Sequence, residues 1–241
     1  MINSSIELRQ PELEPNSEPE AELFPSAQVL PMQCYAPFSG SPLSELYNMD
    51  CVVGMKHYPD KYFDLAIVDP PYGIDINSSG RLGHYGGKKK WDNTKPLVEY
   101  FTELFRVSKN QIIWGGNYFD LPPTRCFIIW DKQQPEDVSF ASCEYAWTSF
   151  NESAKTFYMR PQNADIIRIH PTQKPEKLYN WILSKYAEKG QRVLDTHVGS
   201  GSSRIACYLN GFDFVGFEID EDYCQSSEKR FRNAIKQQRL F

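Results

Sequence analysis

A run of apolar residues, Phe63, Leu65, Ala66, Ile67 and Val68, stops abruptly at Asp69-Pro70-Pro71. An almost unbroken apolar run of this length, closed by prolines, fits a strand buried on both faces in a parallel sheet covered by helices. The pattern recurs. Gln111–Trp114 ends in Gly115-Gly116, Cys126–Trp130 in Asp131, Arg192–Leu194 in Asp195 and Phe214–Phe217 in Glu218. Glu45–Met49 reads as a short strand ending at Asp50, with one or two helical turns over Val52–His57. Glu144–Phe150 and Thr156–Met159 read as further strands. Between them, Leu97, Val98, Phe101, Leu104 and Phe105 recur at helical spacing, as do Leu178, Trp181, Ile182 and Tyr186 after Pro175. Ser202–Leu209 and Asp222–Ile235 complete the helices. Alternating strands and helices predict an α/β fold with a largely parallel sheet.

The chain has 241 residues, 41% of them hydrophobic, enough for one sizeable core. Residues 1–40 stand apart as an arm rich in Glu, Ser and Pro that cannot bury enough surface to order itself, so the domain is expected over 41–241. Of the net charge of −5, all falls within residues 1–30, and the remainder sums to zero. A neutral domain binds nucleic acid through a local basic face, so the charge does not exclude it. No apolar run approaches the ~20 residues that cross a bilayer, and the polar start shows no secretory signal. A cytoplasmic protein without membrane contact is expected. The six cysteines include no close pair of zinc-ligand type and read as reduced thiols; no metal is expected.

Ligands of open α/β sheets bind beyond the carboxyl ends of the strands. Three segments there carry chemistry. In Leu194-Asp195-Thr196-His197-Val198-Gly199-Ser200-Gly201-Ser202-Ser203, a carboxylate ends a strand, a Gly-x-Gly turn follows and a helix begins. Glycine admits close backbone approach and positive φ. Glu218, at the end of the next strand, suits the two hydroxyls of a ribose. The pair makes a nucleoside half-site; a plain tight turn is the competing reading. A dinucleotide motif is broken, because Arg204 stands where its third glycine belongs. In Asp69-Pro70-Pro71-Tyr72-Gly73, prolines remove two donors and leave acceptors, the Asp69 carboxylate and the Pro70 carbonyl, beside an aromatic face. That array suits an NH2 group on a flat ring. Third, His170-Pro171-Thr172-Gln173-Lys174-Pro175 packs donors and acceptors just before a helix.

With DPPYG at 69–73, HPTQKP at 170–175, LDTHVGSGSS at 194–203 and FVGFEID at 214–220, the sequence resembles the S-adenosylmethionine-dependent amino-DNA methyltransferases over residues 45–235. The catalytic motif precedes the cofactor loop, which is similar to the permuted β-type order. The resemblance implies a Rossmann-like class I methyltransferase fold with a seven-stranded, mostly parallel sheet. It implies a site-specific enzyme that methylates the exocyclic N6 of an adenine flipped out of double-stranded DNA. Asp69, Pro70, Pro71 and Tyr72 would hold the base. Asp195, Gly199, Ser200 and Gly201 would hold the cofactor's methionine part, Glu218 its ribose and Asp50 its adenine. Thr172, Gln173 and Lys174 would close over its far side, and Cys51, Thr196, Ser202 and Ile219 flank these positions. Asp at the first position of DPPYG is typical of adenine enzymes and Ser of cytosine enzymes; N4-cytosine is the alternative target. RNA or protein-amide methylation, a nicotinamide-dependent oxidoreductase and an inactive DNA-binding remnant are the competing classes. His197 stands where the family commonly has Phe. The short insertions near 74–95 and 131–169 are the places left for target recognition. A homodimer and a cognate restriction enzyme are the further partners such an enzyme would have.

For the phosphate backbone the local candidate is Lys88-Lys89-Lys90-Trp91, with Arg81 and His84 nearby. Neutralising Lys88, Lys89 and Lys90 together should flatten the slope of log K against log salt for DNA binding by about 2–3 units. An unaltered slope would make the run an ordinary solvated loop.

Overall fold

The computed structural model describes residues 40–74, 92–135, 141–161 and 168–238. Eight strands form one sheet: β1 (Ser44–Tyr47), β2 (Phe63–Val68), β3 (Ser108–Trp114), β4 (Phe127–Asp131), β5 (Cys143–Thr148), β6 (Lys155–Tyr158), β7 (Arg192–Asp195) and β8 (Asp213–Phe217). Their order is β1-β8-β7-β2-β3-β5-β4-β6. Only β5 runs against the rest, pairing antiparallel with β3 and β4. This is the largely parallel α/β sheet expected, with one strand more than the family pattern implies. β6 pairs parallel to β4 at the edge.

The helices are α1 (Cys51–Met55), α2 (Val98–Val107), α3 (Glu176–Tyr186), α4 (Ser202–Leu209) and α5 (Glu221–Gln238). The sheet is buried on both sides, which is why its central strands are apolar at successive positions. Leu65 and Ile67 of β2 pack with Ile112, Trp114, Leu178, Ile182 and Ala206 on the α3/α4 face. Ala66 and Val68 point the other way, among Met55, Tyr100, Leu104 and Val107. Leu97 and Val98, predicted to join the buried stripe of α2, are exposed instead. They open the helix before it reaches the sheet, and Tyr100, Leu104 and Val107 form the buried face.

Two features place the site. From β2 the chain passes through α2 to β3 on one side, and from β7 through α4 to β8 on the other. The β2/β7 border is therefore the point where connections diverge, the usual place for a ligand crevice. The ladder there is also short: only Leu65↔Val193 and Ala66↔Leu194 pair, against five pairs between β2 and β3.

Arg204, in the slot of the missing dinucleotide glycine, is fully buried on α4. Its Nε donates to Ser44 Oγ at 2.9 Å, its guanidinium pairs with Glu228 of α5, and its plane lies 4.0 Å from the Phe231 ring. It joins β1, α4 and α5. Arg204→Met should therefore cost about 3 kcal/mol in urea unfolding, the low end for breaking a buried pair, because Arg232 still pairs with Glu228. A loss below about 0.5 kcal/mol, the scale of an ordinary surface substitution, would show that this junction is not what binds the helices together.

Candidate active site

Four acidic residues stand at the carboxyl ends of four adjacent strands: Asp50 after β1, Glu218 after β8, Asp195 closing β7 and Asp69 after β2. A cavity of about 220 Å³ opens over the β8, β7 and β2 ends. Its walls include Asp69, Pro70, Pro71 and Tyr72 on one side and Gly199, Ser200, Glu218 and Ile219 on the other, with Thr172, Gln173 and Lys174 between. All four residues predicted to hold a base thus share a space with the predicted nucleoside half-site.

The loop after β7 is folded by its own polar groups. Asp195 accepts from the His197 amide at 3.0 Å and from Ser203 Oγ at 2.5 Å, so it straps the two ends of the Gly-x-Gly turn together. Gly199 and Gly201 sit at φ +51° and +76°, a region that favours glycine. The Gly199 amide donates to Glu218 Oε2 at 2.8 Å, and the Asp220 amide to Oε1 at 2.9 Å. Arg230 of α5 backs the turn, donating to the Ser200 carbonyl, Ser202 Oγ and Glu176. Ile219, an exposed apolar residue, stands at the rim. Thr196 Oγ1 bridges the Tyr100 hydroxyl and His197 Nδ1.

Several predicted cofactor residues do not line the cavity. Asp50 caps α1, accepting from the Val52 and Val53 amides at 2.9 and 3.0 Å. The Cys51 thiol is pushed up to about 12, chiefly by burial. Asp195, Thr196, Gly201 and Ser202 are buried and stand outside the cavity lining, which Gly199 and Ser200 join. Arg81, His84, Lys88, Lys89, Lys90 and Trp91 fall outside the described residues.

On the other side, the Tyr72 hydroxyl donates to Asp69 Oδ1 at 2.5 Å. The Tyr72 ring stacks on Tyr118 at 4.9 Å, so one of its faces is already covered. Gly115, at φ +66°, makes room: a Cβ there would lie 2.2 Å from the Tyr72 ring. Lys174 lines the cavity, with its ammonium turned to the DPPYG side. Its Nζ is 2.5 Å from Asp69 Oδ2 and 3.0 Å from Glu144 Oε2, and 5.0 Å from the Trp114 ring centre. Lys132 holds the other Glu144 oxygen at 2.7 Å.

Two contributors escaped the sequence reading. Asp92 is buried and accepts from the Tyr72 and Gly73 amides at 2.6 and 3.0 Å, fixing the DPPYG turn. A lone Asp in a polar stretch carries no signal of this. Glu144 was legible in principle: on β5 it shares a face with Ala146 and Thr148, and a charge on the core-facing side of a strand asks for a partner.

The acids respond to their neighbours in opposite directions. Burial pushes Asp195 from 3.8 up to about 7, and the negative charges of Asp69 and Glu218 add to it, against the hydrogen bonds from Ser203 and His197. Burial also raises Glu218. For Glu144, burial is outweighed by Lys174 and Lys132, which draw it down to about 2. Burial favours a neutral Lys174, but Asp69 and Glu144 prevail and hold its proton. Burial lowers His197 to about 4, leaving it neutral near pH 7.

A family model described as DNA methylase matches residues 129–229. The type II methyltransferase M2.MboI of Moraxella bovis is 25% identical over 238 residues, 77% of this chain and 86% of that protein. Two solved structures share the fold. The M1.HpyAVI–SAM complex has a TM-score of 0.51 at 22% identity, over 77% of this chain and 98% of that one. PvuII DNA methyltransferase (cytosine-N4-specific) has a TM-score of 0.55 at 12% identity, over 82% and 93%. The resemblance to amino-DNA methyltransferases read from the motifs is borne out, and the fold is the class I methyltransferase fold.

Asp195 generates a test of the site's electrostatics. Its acid is bound more tightly to its proton in the fold than in the open chain. Its contribution is therefore fully favourable below about 3.8 and is lost as pH rises through about 7. Asp195→Asn should gain stability relative to wild type between pH 4 and 7, with the difference levelling off above. Urea unfolding across that range measures it; a flat difference would mean that Asp195 is ionised in the fold without penalty.

Proposed function

We propose that this protein is a DNA methyltransferase that transfers a methyl group from S-adenosylmethionine to the exocyclic N6 of an adenine turned out of the duplex. One observation carries the reading. The acceptor-rich Asp69-Pro70-Pro71-Tyr72 turn and the Gly199–Glu218 half-site face a single cavity at the β2/β7 border. M2.MboI, a type II methyltransferase, and the SAM-bound M1.HpyAVI support methyl transfer from this cofactor, while PvuII DNA methyltransferase is named for cytosine N4.

The residues fit the cofactor. A carboxylate has about four lone-pair positions, and Glu218 turns some of them to the Gly199, Asp220 and Ile219 amides, which leaves acceptor capacity for a ribose hydroxyl. Ile219 offers an apolar rim for a purine, and Gly199 lets backbone approach the amino-acid part. When bound, S-adenosylmethionine supplies a methyl group on a positively charged sulfur. The chain's own work is at the amine. An exocyclic NH2 is a weak nucleophile because its lone pair is delocalised into the ring. Hydrogen bonds from it to Asp69 and the Pro70 carbonyl draw that lone pair toward the methyl group. Tyr72 provides the platform, backed on one face by Tyr118; stacking on such a ring returns about 1–3 kcal/mol of the few that base extrusion costs. Positioning then does most of the rest. The N–C bond forms as the S–C bond breaks, and the surplus amine proton leaves to Asp69 or to water.

The preference for adenine rests on Asp69 at the first position of its motif. Cytosine N4 presents the same NH2 chemistry to the same acceptors, so the base is decided by digesting methylated DNA to nucleosides and weighing them.

Asp69→Ala should still bind S-adenosylmethionine and lose methyl transfer by about a hundredfold or more, as when a single polar group that steers charge at a reacting centre is removed. Calorimetric titration and incorporation of labelled methyl into DNA give the two numbers. Turnover at the wild-type rate would remove Asp69 from the mechanism.

A further inference from the structure

The DPPYG turn explains why an NH2 group is received, yet the structure puts a cation against its carboxylate. Lys174 Nζ lies 2.5 Å from Asp69 Oδ2, and the Lys174 side chain is only 3% exposed. Taken alone, that pair is a difficulty. The ammonium neutralises Asp69, competes with an incoming amine for its oxygen, and stands in the cavity that is to hold a sulfonium. Glu144 removes the difficulty. It reaches the same ammonium from β5 at 3.0 Å. Its side chain also lines the cavity.

We infer that Glu144 is a positioning residue, the counter-charge that shares Lys174 with Asp69 and keeps the amine end of the cavity negative. Asp69, Lys174 and Glu144 sum to one negative charge, and to zero without Glu144; Lys132 on the far oxygen of Glu144 balances the cluster as a whole, so the negative excess lies on the cavity side of Glu144. The reaction joins an amine to a methyl on a positively charged sulfur, so positive charge spreads onto the amine nitrogen until a proton leaves. In a site shielded from water, a net negative surrounding stabilises that change more than it would in solution. Lys174 retains a purpose of its own: it fixes the orientation of the Asp69 carboxylate while the Tyr72 hydroxyl holds the other oxygen. Lys132 covers the outward oxygen of Glu144 and stands one step further from Asp69. This inference rests on the methyl-transfer reading above.

The test compares wild type with Glu144→Gln, with Lys132→Met, and with Glu144→Gln combined with Lys174→Met. Each is titrated with S-adenosylmethionine and with S-adenosylhomocysteine, which differ by a methyl group and one positive charge at sulfur. Single-turnover transfer to unmethylated DNA is timed in parallel. Glu144→Gln should lower the preference for the sulfonium over the neutral thioether, and slow transfer by roughly tenfold to a hundredfold. The double substitution removes a cation with the anion, so it should restore the preference. Lys132→Met should hold or raise it. Merely structural damage would weaken both ligands alike and leave their ratio unchanged. A wild-type ratio and rate in Glu144→Gln overturns the inference. Should that variant not fold, a lowered ratio in Lys132→Met, or a ratio left low in the double variant, overturns it equally. Wild type that transfers no methyl to DNA overturns the underlying reading; wild type that transfers normally beside an unaffected Glu144→Gln overturns the inference alone.

Discussion

Two neighbouring parallel strands whose connections leave in opposite directions govern this molecule. β2 hands the chain to α2 on one face and β7 hands it to α4 on the other, so among the described residues no crossover covers the gap between their carboxyl ends. Their ladder pairs only two residues on each strand. Everything that bears on chemistry is fastened to this gap. Asp69 and Asp195 end the two strands, and the HPTQKP segment reaches across through Lys174. A motif spelled the same way elsewhere on the sheet would face a helix and not a cavity.

Gathering acids at one edge creates an electrostatic problem that the structure answers differently at each position. Asp195 has only neutral donors, the His197 amide and Ser203 hydroxyl, and burial leaves it near 7. Glu144, with about a quarter of its side chain exposed, has two ammonium groups and falls to about 2. The same functional group is thus moved in opposite directions, up by burial at Asp195 and down by two ammonium groups at Glu144. Asp195 serves as the strap of a loop, where hydrogen bonding matters more than charge. At the other end of the cavity a fixed anionic surrounding is what a cationic reagent requires. Separating the two tasks keeps repulsion among the four strand-end acids from being concentrated at one place.

The sheet was legible because both of its faces are covered. Continuous apolar runs mark β2, β3, β7 and β8, and the turn residues that close them mark the ligand edge. α4 was readable to the residue. What escaped depends on partners distant in sequence. The chain places Lys174 in the cofactor motif, and only the reversed strand β5, carrying Glu144, shows that its ammonium belongs to Asp69. Asp92 fixes the DPPYG turn from 19 and 20 positions away, through amides that sequence does not display. Tyr72 reads as a free aromatic face until Gly115 is seen to let its ring lie against Tyr118. Leu97 and Val98 fit helical spacing, but spacing says nothing of where a helix first meets the sheet.

His197 shows how a local departure is absorbed. It occupies a position where the resemblance leads one to expect Phe, and it lines the cavity. An imidazole carrying charge there would oppose a sulfonium. Burial removes that conflict by lowering it to about 4, with Asp50 only a minor counterweight, so the ring is neutral near pH 7. Its Nδ1 is satisfied within the loop by Thr196 Oγ1, itself paired with the Tyr100 hydroxyl, and its ring meets Tyr100 edge-on at 5.5 Å. The side chain therefore behaves as a flat, uncharged ring anchored through one nitrogen, which is what the packing role of an aromatic residue asks for. The imidazole adds a hydrogen bond inside the loop, to Thr196 Oγ1, that Phe could not make, and it does so without adding a charge to the cavity; the bond to α2 is Thr196's own, to the Tyr100 hydroxyl.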